Sequence, residues 1–175
     1  TLAAFRVLFG FIMLVSLIRF LSHGWVQDFY ITPDFHFKYY GFSWVKSLGE
    51  YTYVLFAMAI ISIISVIIGY KYRLSMITFF LTFTYIELID KTTYLNHYYF
   101  TSSLSLLLCF LPLSATFSLD SFLQKKSQQY VPAWTVDSIR ILLTIVYFYA
   151  GLAKLNSDWL FRAQPLKIWL SSKTS

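Results

Sequence analysis

Long apolar runs alternate along this chain with short stretches of aromatic, polar and charged residues. About 20 helical residues at 1.5 Å each cross the roughly 30 Å hydrocarbon core of a bilayer. Five runs are interpreted as such spans: Leu2–Leu21, Tyr51–Tyr70, Leu74–Asp90, Tyr98–Leu111 and Ala133–Leu155. The runs are continuous rather than alternating, so the pattern predicts an all-α membrane protein, a polytopic bundle of about five transmembrane helices.

Two connections are rich in aromatic residues and carry interspersed charges. The first, His23–Glu50, lies between the first and second spans, and the second, Asn156–Trp169, follows the fifth. Thr32-Pro33-Asp34 resembles a helix start, with Thr32 as N-cap and Pro33 in the first turn. This composition predicts interfacial helices in both connections.

Composition supports a membrane location and excludes other classes. The chain is 58% hydrophobic and 13% charged, whereas soluble domains carry about 25% charged residues. The net charge of +6 is spread over loops and span ends, which suits the lipid bilayer surface and not nucleic acid. With one cysteine and no metal-ligand spacing among the three histidines, we expect no metal site and no disulfide within the chain.

Basic residues indicate an orientation. Lys71, Arg73, Lys125 and Lys126 lie in the connections after the second and fourth spans, and the positive-inside rule places these connections in the cytoplasm. The segment between the third and fourth spans would then face the outer side. The chain starts without Met and stops in a polar tail, so we expect a piece of a longer protein.

The segment Glu87–Tyr99 is the strongest candidate site, because it places charges between two apolar runs. A charged side chain at the centre of a span costs about 2.5–3.5 kcal/mol. If the third helix continues past Asp90, Glu87 and Lys91 share a face. A desolvated lysine can serve as a neutral amine base. A Glu87–Lys91 salt bridge that only lets the helix end insert remains the alternative.

The fifth span carries a polar stripe. Its members recur at steps of four and three residues: Arg140, Thr144, Tyr147, Gly151, Lys154 and Asp158. Such a stripe is expected to face protein or a water-filled cavity. Structural ion pairing within the bundle is the alternative. The second and fourth spans lack such groups and are expected to face lipid.

The candidate segment also resembles a known motif. Asp90-Lys-Thr-Thr-Tyr-Leu-Asn-His-Tyr-Tyr99 resembles the D-K-T-x-x-x-N-H-x-Y signature of vitamin K-dependent gamma-glutamyl carboxylases and their bacterial relatives, which share the HTTM (horizontally transferred transmembrane) domain. Further stretches resemble this family: Tyr30–Trp44, Gly69–Arg73, Phe117–Asp120, Val146–Leu155 and Asp158-Trp159. The resemblance covers nearly the whole chain and implies one HTTM-type domain over residues 1–175.

The resemblance implies a reaction. A reduced vitamin K hydroquinone is deprotonated and reacts with O2, and the strong base so formed removes a gamma-proton from a protein glutamate, to which CO2 adds. The family's catalytic base corresponds to Lys91. His97, Asn96, Tyr147, Arg140 and Lys154 are expected to bind or surround the cofactor.

The resemblance also implies a location and partners. A bacterial member would lie in the inner membrane and engage a glutamate-containing protein or peptide through a C-terminal extramembrane domain that this chain does not contain. The alternative function is a quinone- or proton-handling membrane module without carboxylase activity. A structural membrane scaffold is a third possibility.

Overall fold

The computed structural model describes residues 2–123 and 131–171, apart from the side chains of 160, 165, 166, 169 and 171. The described residues contain helices and no strand. They divide into two compact units, Thr1–Thr135 and Val136–Ser175. Lys125 and Lys126, used above for the orientation, lie outside the described residues.

Eight α-helices are described. Those that begin in the first unit are α1 (Leu2–Ser22), α2 (Thr52–Ile68), α3 (Tyr72–Ile89), α4 (Asn96–Phe110), α5 (Leu119–Leu123) and α6 (Trp134–Ala153). Helix α6 continues into the second unit, which also holds α7 (Ser157–Leu160) and α8 (Gln164–Ser171). The helices predicted after the fifth span are therefore present.

Four helical segments among the described residues are long and apolar enough to cross a membrane: Leu2–Ser22, Gly49–Ile68, Tyr72–Ile89 and Trp134–Ala153. The predicted class, a membrane helical bundle, is confirmed. The expected count of five differs, because the run taken as the fourth span forms α4, which has 15 residues. A helix of that length extends about 22 Å, short of the roughly 30 Å core.

Helix α2 lies between α1 and α3 rather than facing lipid alone, which corrects the expectation for the second span. Helix α2 packs against both neighbours and α3 packs against α4. Gly10 of α1 permits this close approach, because a Cβ at that position would collide with Ile67 of α2. Apolar side chains are equally favourable against lipid and against other helices, so composition could not show which face of α2 is buried.

A buried arginine ties the start of α1 to the chain after α4. Arg6 is 1% exposed. Its guanidinium donates to the backbone oxygens of Leu113 at 3.1 Å and Phe117 at 2.5 Å. Arg6 therefore lies in the interior of the bundle rather than extending to the lipid headgroups.

The same end of the first unit contains a helix cap from a distant residue. The Asp120 carboxylate accepts hydrogen bonds from the backbone N–H groups of Lys71 at 2.8 Å and Tyr72 at 2.9 Å. These are otherwise unpaired donors at the start of α3, where an anion is favourable. Gly69 precedes them with φ +74° and lies against Arg6.

The connection after α1 differs from the prediction. It contains a five-residue π-helix, Gln27–Ile31, and then irregular chain up to the 3-10 turn Gly49–Tyr51. No helix begins at Thr32-Pro33-Asp34. Beyond Pro33, the Lys38 ammonium donates to the oxygen of Ile89 and the oxygen of Phe37 accepts from the Lys91 N–H, so this stretch bonds the chain at the end of α3 instead of forming a helix.

Candidate functional site

The candidate segment begins where α3 ends, at Ile89. Asp90 is extended, with φ −141° and ψ 124°, and a 3-10 turn covers Lys91–Thr93. The Asp90 carboxylate accepts from the backbone N–H and the hydroxyl of Thr92, both at 2.8 Å. This local capping competes with the helix. The predicted continuation of the third helix past Asp90 is therefore wrong.

The loop that contains Phe37 and Lys38 holds this turn in place. The Lys38 ammonium donates to the backbone oxygen of Ile89 at 3.0 Å, and the Lys91 backbone N–H donates to the oxygen of Phe37 at 2.8 Å. The last carbonyls of a helix lack intrahelical partners and carry partial negative charge, so a lysine suits them. Phe37 and Lys38 are successive loop residues, and they hydrogen-bond the residues that precede and follow Asp90.

The Lys91 side chain is exposed. This differs from the desolvated amine expected from sequence. No Glu87–Lys91 salt bridge occurs among the ion pairs of the described residues, and Glu87 instead accepts a hydrogen bond from the Ser102 hydroxyl. The turn at Asp90 separates the two side chains, because they no longer share a helix face. The catalytic role of Lys91 stays a prediction.

Asn96 and His97 begin α4 and are also exposed. The His97 ring packs edge-on against Tyr98, with 4.5 Å between ring centroids, and its backbone oxygen accepts from the Thr101 hydroxyl. The structure thus brings three predicted site residues onto one short segment of the first unit, the turn at Lys91 and the first turn of α4.

The other three predicted residues, Arg140, Tyr147 and Lys154, belong to the second unit. Helix α6 is continuous from Arg140 past Tyr147, which confirms that these two share a helix, whereas Lys154 follows the helix end. Arg140 pairs with Asp137 at 3.1 Å, and both side chains are more than half exposed. The Lys154 ammonium lies 5.2 Å from the ring centre of Trp159.

Tyr30 is a site residue that sequence reasoning did not single out. It lies in the π-helix, is 3% exposed and has its phenol close to Thr93 of the motif. Burial raises the pKa of its phenol. The Ser47 hydroxyl donates to its backbone oxygen. Tyr30 is one of several aromatic residues in its connection, and only the fold shows which of them reaches the motif.

One comparison with known proteins identifies the family. The family model of the HTTM domain matches residues 1–175, the whole chain. The chain belongs to the HTTM domain family. HTTM domains are associated with the membrane part of vitamin K-dependent carboxylases, so the predicted family is confirmed. No solved structure matches the chain.

Beside the motif, this HTTM domain has an open groove of about 590 Å³. Its lining residues are Ile31, Pro33, Asp34, Phe35, His36, Phe37, Lys38, Lys46 and Ser47. The rings of Phe35 and Phe37 meet edge to face, with 5.1 Å between centroids. Ligand pockets measure about 300–1,000 Å³ and combine apolar walls with a few polar groups. The groove therefore has the volume of a ligand pocket, but it is open to its surroundings and its lining mixes aromatic rings with charged side chains.

Proposed function

We propose that this HTTM domain is the membrane part of a gamma-glutamyl carboxylase-like enzyme. It deprotonates a reduced naphthoquinol such as vitamin K hydroquinone, with O2 and CO2 as co-substrates, to carboxylate a protein glutamate. The observation that carries this proposal is the D-K-T-x-x-x-N-H-x-Y motif within an HTTM domain. The motif begins with a turn that is hydrogen-bonded to a neighbouring loop, and a groove of ligand size lies beside it.

Lys91 is the proposed base. Hydrogen bonds at Asp90 and Phe37 hold the backbone of the turn, while the exposed amine is free to reach a ligand. Because Lys91 N–H bonds the oxygen of Phe37, which lines the groove, a quinol ring in the groove would lie next to this turn. The Lys91 side chain does not line the groove, so its amine would have to extend to a ring bound there. The ring would then exclude water from the amine and supply the desolvation that a neutral base needs.

The remaining predicted residues are proposed to position the reactants. Asn96 and His97 follow the turn on the same segment, where an amide and an imidazole can bond a quinol oxygen. Arg140, Tyr147 and Lys154 of the second unit stay predicted cofactor-binding residues. We also propose a bacterial inner membrane location, with the motif on the outer side, and a glutamate-containing protein or peptide as substrate.

The test uses the full chain in lipid nanodiscs with chemically reduced vitamin K, labelled bicarbonate and a glutamate peptide. Lys91→Ala should reduce both label incorporation and quinone epoxide formation by about 10²-fold or more, the range for a general base. Lys167→Ala, an exposed lysine of α8, is the matched control and should leave both unchanged. Undiminished carboxylation by Lys91→Ala would refute its role.

A second candidate is a quinone- or proton-handling module without carboxylation. The exposure of Lys91 favours it, because this chain alone does not bury the amine. This candidate predicts quinone binding, or proton flux in vesicles, that depends on Lys91 while no labelled carbon enters the peptide. Incorporation of label by the wild-type chain would exclude it.

A further inference from the structure

Glu87 is a carboxyl group in the last turn of a membrane-spanning helix, and the mechanism proposed above does not use it. It is partly buried and faces α4, where the Ser102 hydroxyl donates to its Oε2. Ser102 in turn accepts from the Thr84 hydroxyl at 3.3 Å. The carboxyl group thus ends a short chain of hydroxyl donors that links α3 to α4.

Glu87 also lines a small cavity of about 30 Å³ in the first unit. Five aromatic rings and a few polar groups form the walls, and the lining residues are Ser16, Leu17, Phe20, Tyr30, Phe56, Phe83, Ile86, Glu87 and Tyr98. A cavity needs about 10–15 Å³ to hold one water, whereas ligand pockets begin near about 300 Å³. The size therefore suits one or two waters and excludes a quinol.

Among the described residues, no ion pair keeps the Glu87 carboxyl group in its charged form. The ion pairs of the described residues are Arg140–Asp137 and Arg162–Asp158, and neither involves Glu87. Other ionisable groups whose charges interact with Glu87 or with the cavity are Tyr30, Tyr39, Tyr98, Asp90 and, through Tyr98, Arg19. Chains seldom keep a carboxyl group without an ion partner in a membrane-spanning helix unless it handles protons or ions.

We propose that Glu87 is a proton-binding site that exchanges with water held in this cavity. The carboxylate takes a proton from a hydronium ion and leaves water, and the carboxylic acid returns the proton to water. Tyr98 belongs to the motif segment, Tyr30 contacts it, and both residues line the cavity. The proton-binding site therefore lies directly against the candidate active segment. It stands apart from the proposed quinol site, because a cavity of this size does not hold a quinol.

A purely structural role is the competing explanation, in which the Ser102–Glu87 bond only holds α3 to α4. The sequence offers a sharp test, because it has two glutamates, Glu50 and Glu87, and Glu50 is exposed. Protein labelled with ¹³C at the glutamate carboxyl carbon therefore gives two signals in infrared or NMR spectra. Glu50→Gln leaves Glu87 as the single reporter, and Glu87→Gln is the reciprocal control.

In nanodiscs, the label of Glu50→Gln should convert reversibly between carboxylate and carboxylic acid as pH changes, and the acid band should shift in D2O. Ser102→Ala in this background removes a donor to the carboxylate, so the midpoint should move to higher pH. One protonation state at every pH at which the helices persist would overturn the proposal. An acid band that fails to exchange in D2O would overturn the water-filled cavity. Neither readout requires carboxylase activity.

Discussion

Lys38→Met tests whether the loop over the end of α3 holds the motif. Methionine has about the length of the apolar stem of lysine, but it lacks the ammonium that donates to the backbone oxygen of Ile89 at 3.0 Å. Hydrogen bonds to charged groups contribute about 1.5–3 kcal/mol. Lys38 is only partly buried, so water replaces some of this bond, and we expect a local loss of about 1–2 kcal/mol.

Hydrogen exchange at the Lys91 amide reports this loss directly, because that N–H donates to Phe37, the neighbour of Lys38. A change of 1–2 kcal/mol in local opening alters the exchange rate by about 5–30-fold. Lys46→Met is the matched control, since Lys46 is exposed in the same connection and should leave the Lys91 rate within error. The measurement needs only exchange followed by peptide mass analysis or NMR in nanodiscs.

Equal exchange of the Lys91 amide in both variants would refute the reasoning, because Lys38 would then not secure the loop. A faster rate throughout the first unit in Lys38→Met would also count against it, since the bond would then contribute to global rather than local stability. The expected pattern is confined to the turn at Lys91 and to the loop around Phe37.

Two further predictions concern stability in nanodiscs or detergent. Gly69→Ala should lower the free energy of unfolding by about 2 kcal/mol more than Gly41→Ala. Both positions have positive φ, but only at Gly69 would the new Cβ lie 2.5 Å from the Cβ of Ser118 and 2.7 Å from the Arg6 guanidinium. Equal losses in the two variants would contradict the close packing of Gly69 against Ser118 and Arg6. Burial raises the pKa of Tyr30, so the neutral phenol contributes to the free energy of unfolding below about pH 10, and this contribution is lost as pH rises further. Tyr30→Phe should therefore flatten the alkaline decline of the free energy of unfolding. Tyr147→Phe, at an exposed position, should not.

The spans were predictable because the signal for them is local. A run of apolar residues long enough to cross a bilayer is visible in the chain, and α1, α3 and α6 lie close to the predicted Leu2–Leu21, Leu74–Asp90 and Ala133–Leu155. The motif was equally readable, since its residues are consecutive. Helical periodicity also placed Arg140, Thr144, Tyr147 and Gly151 on α6, whereas Lys154 and Asp158 of the predicted stripe lie beyond the helix end.

The features that sequence reasoning missed depend on contacts between distant residues. Asp90 ends α3 and turns Lys91 away from Glu87, while Phe37 and Lys38, about 50 residues earlier, hold that turn. Burial of Tyr30 and the small cavity beside Glu87 require α1 to α4 and the π-helix to meet at one point. Apolar side chains pack equally well against lipid and protein, so periodicity could not assign these partners; they follow from how the helices pack.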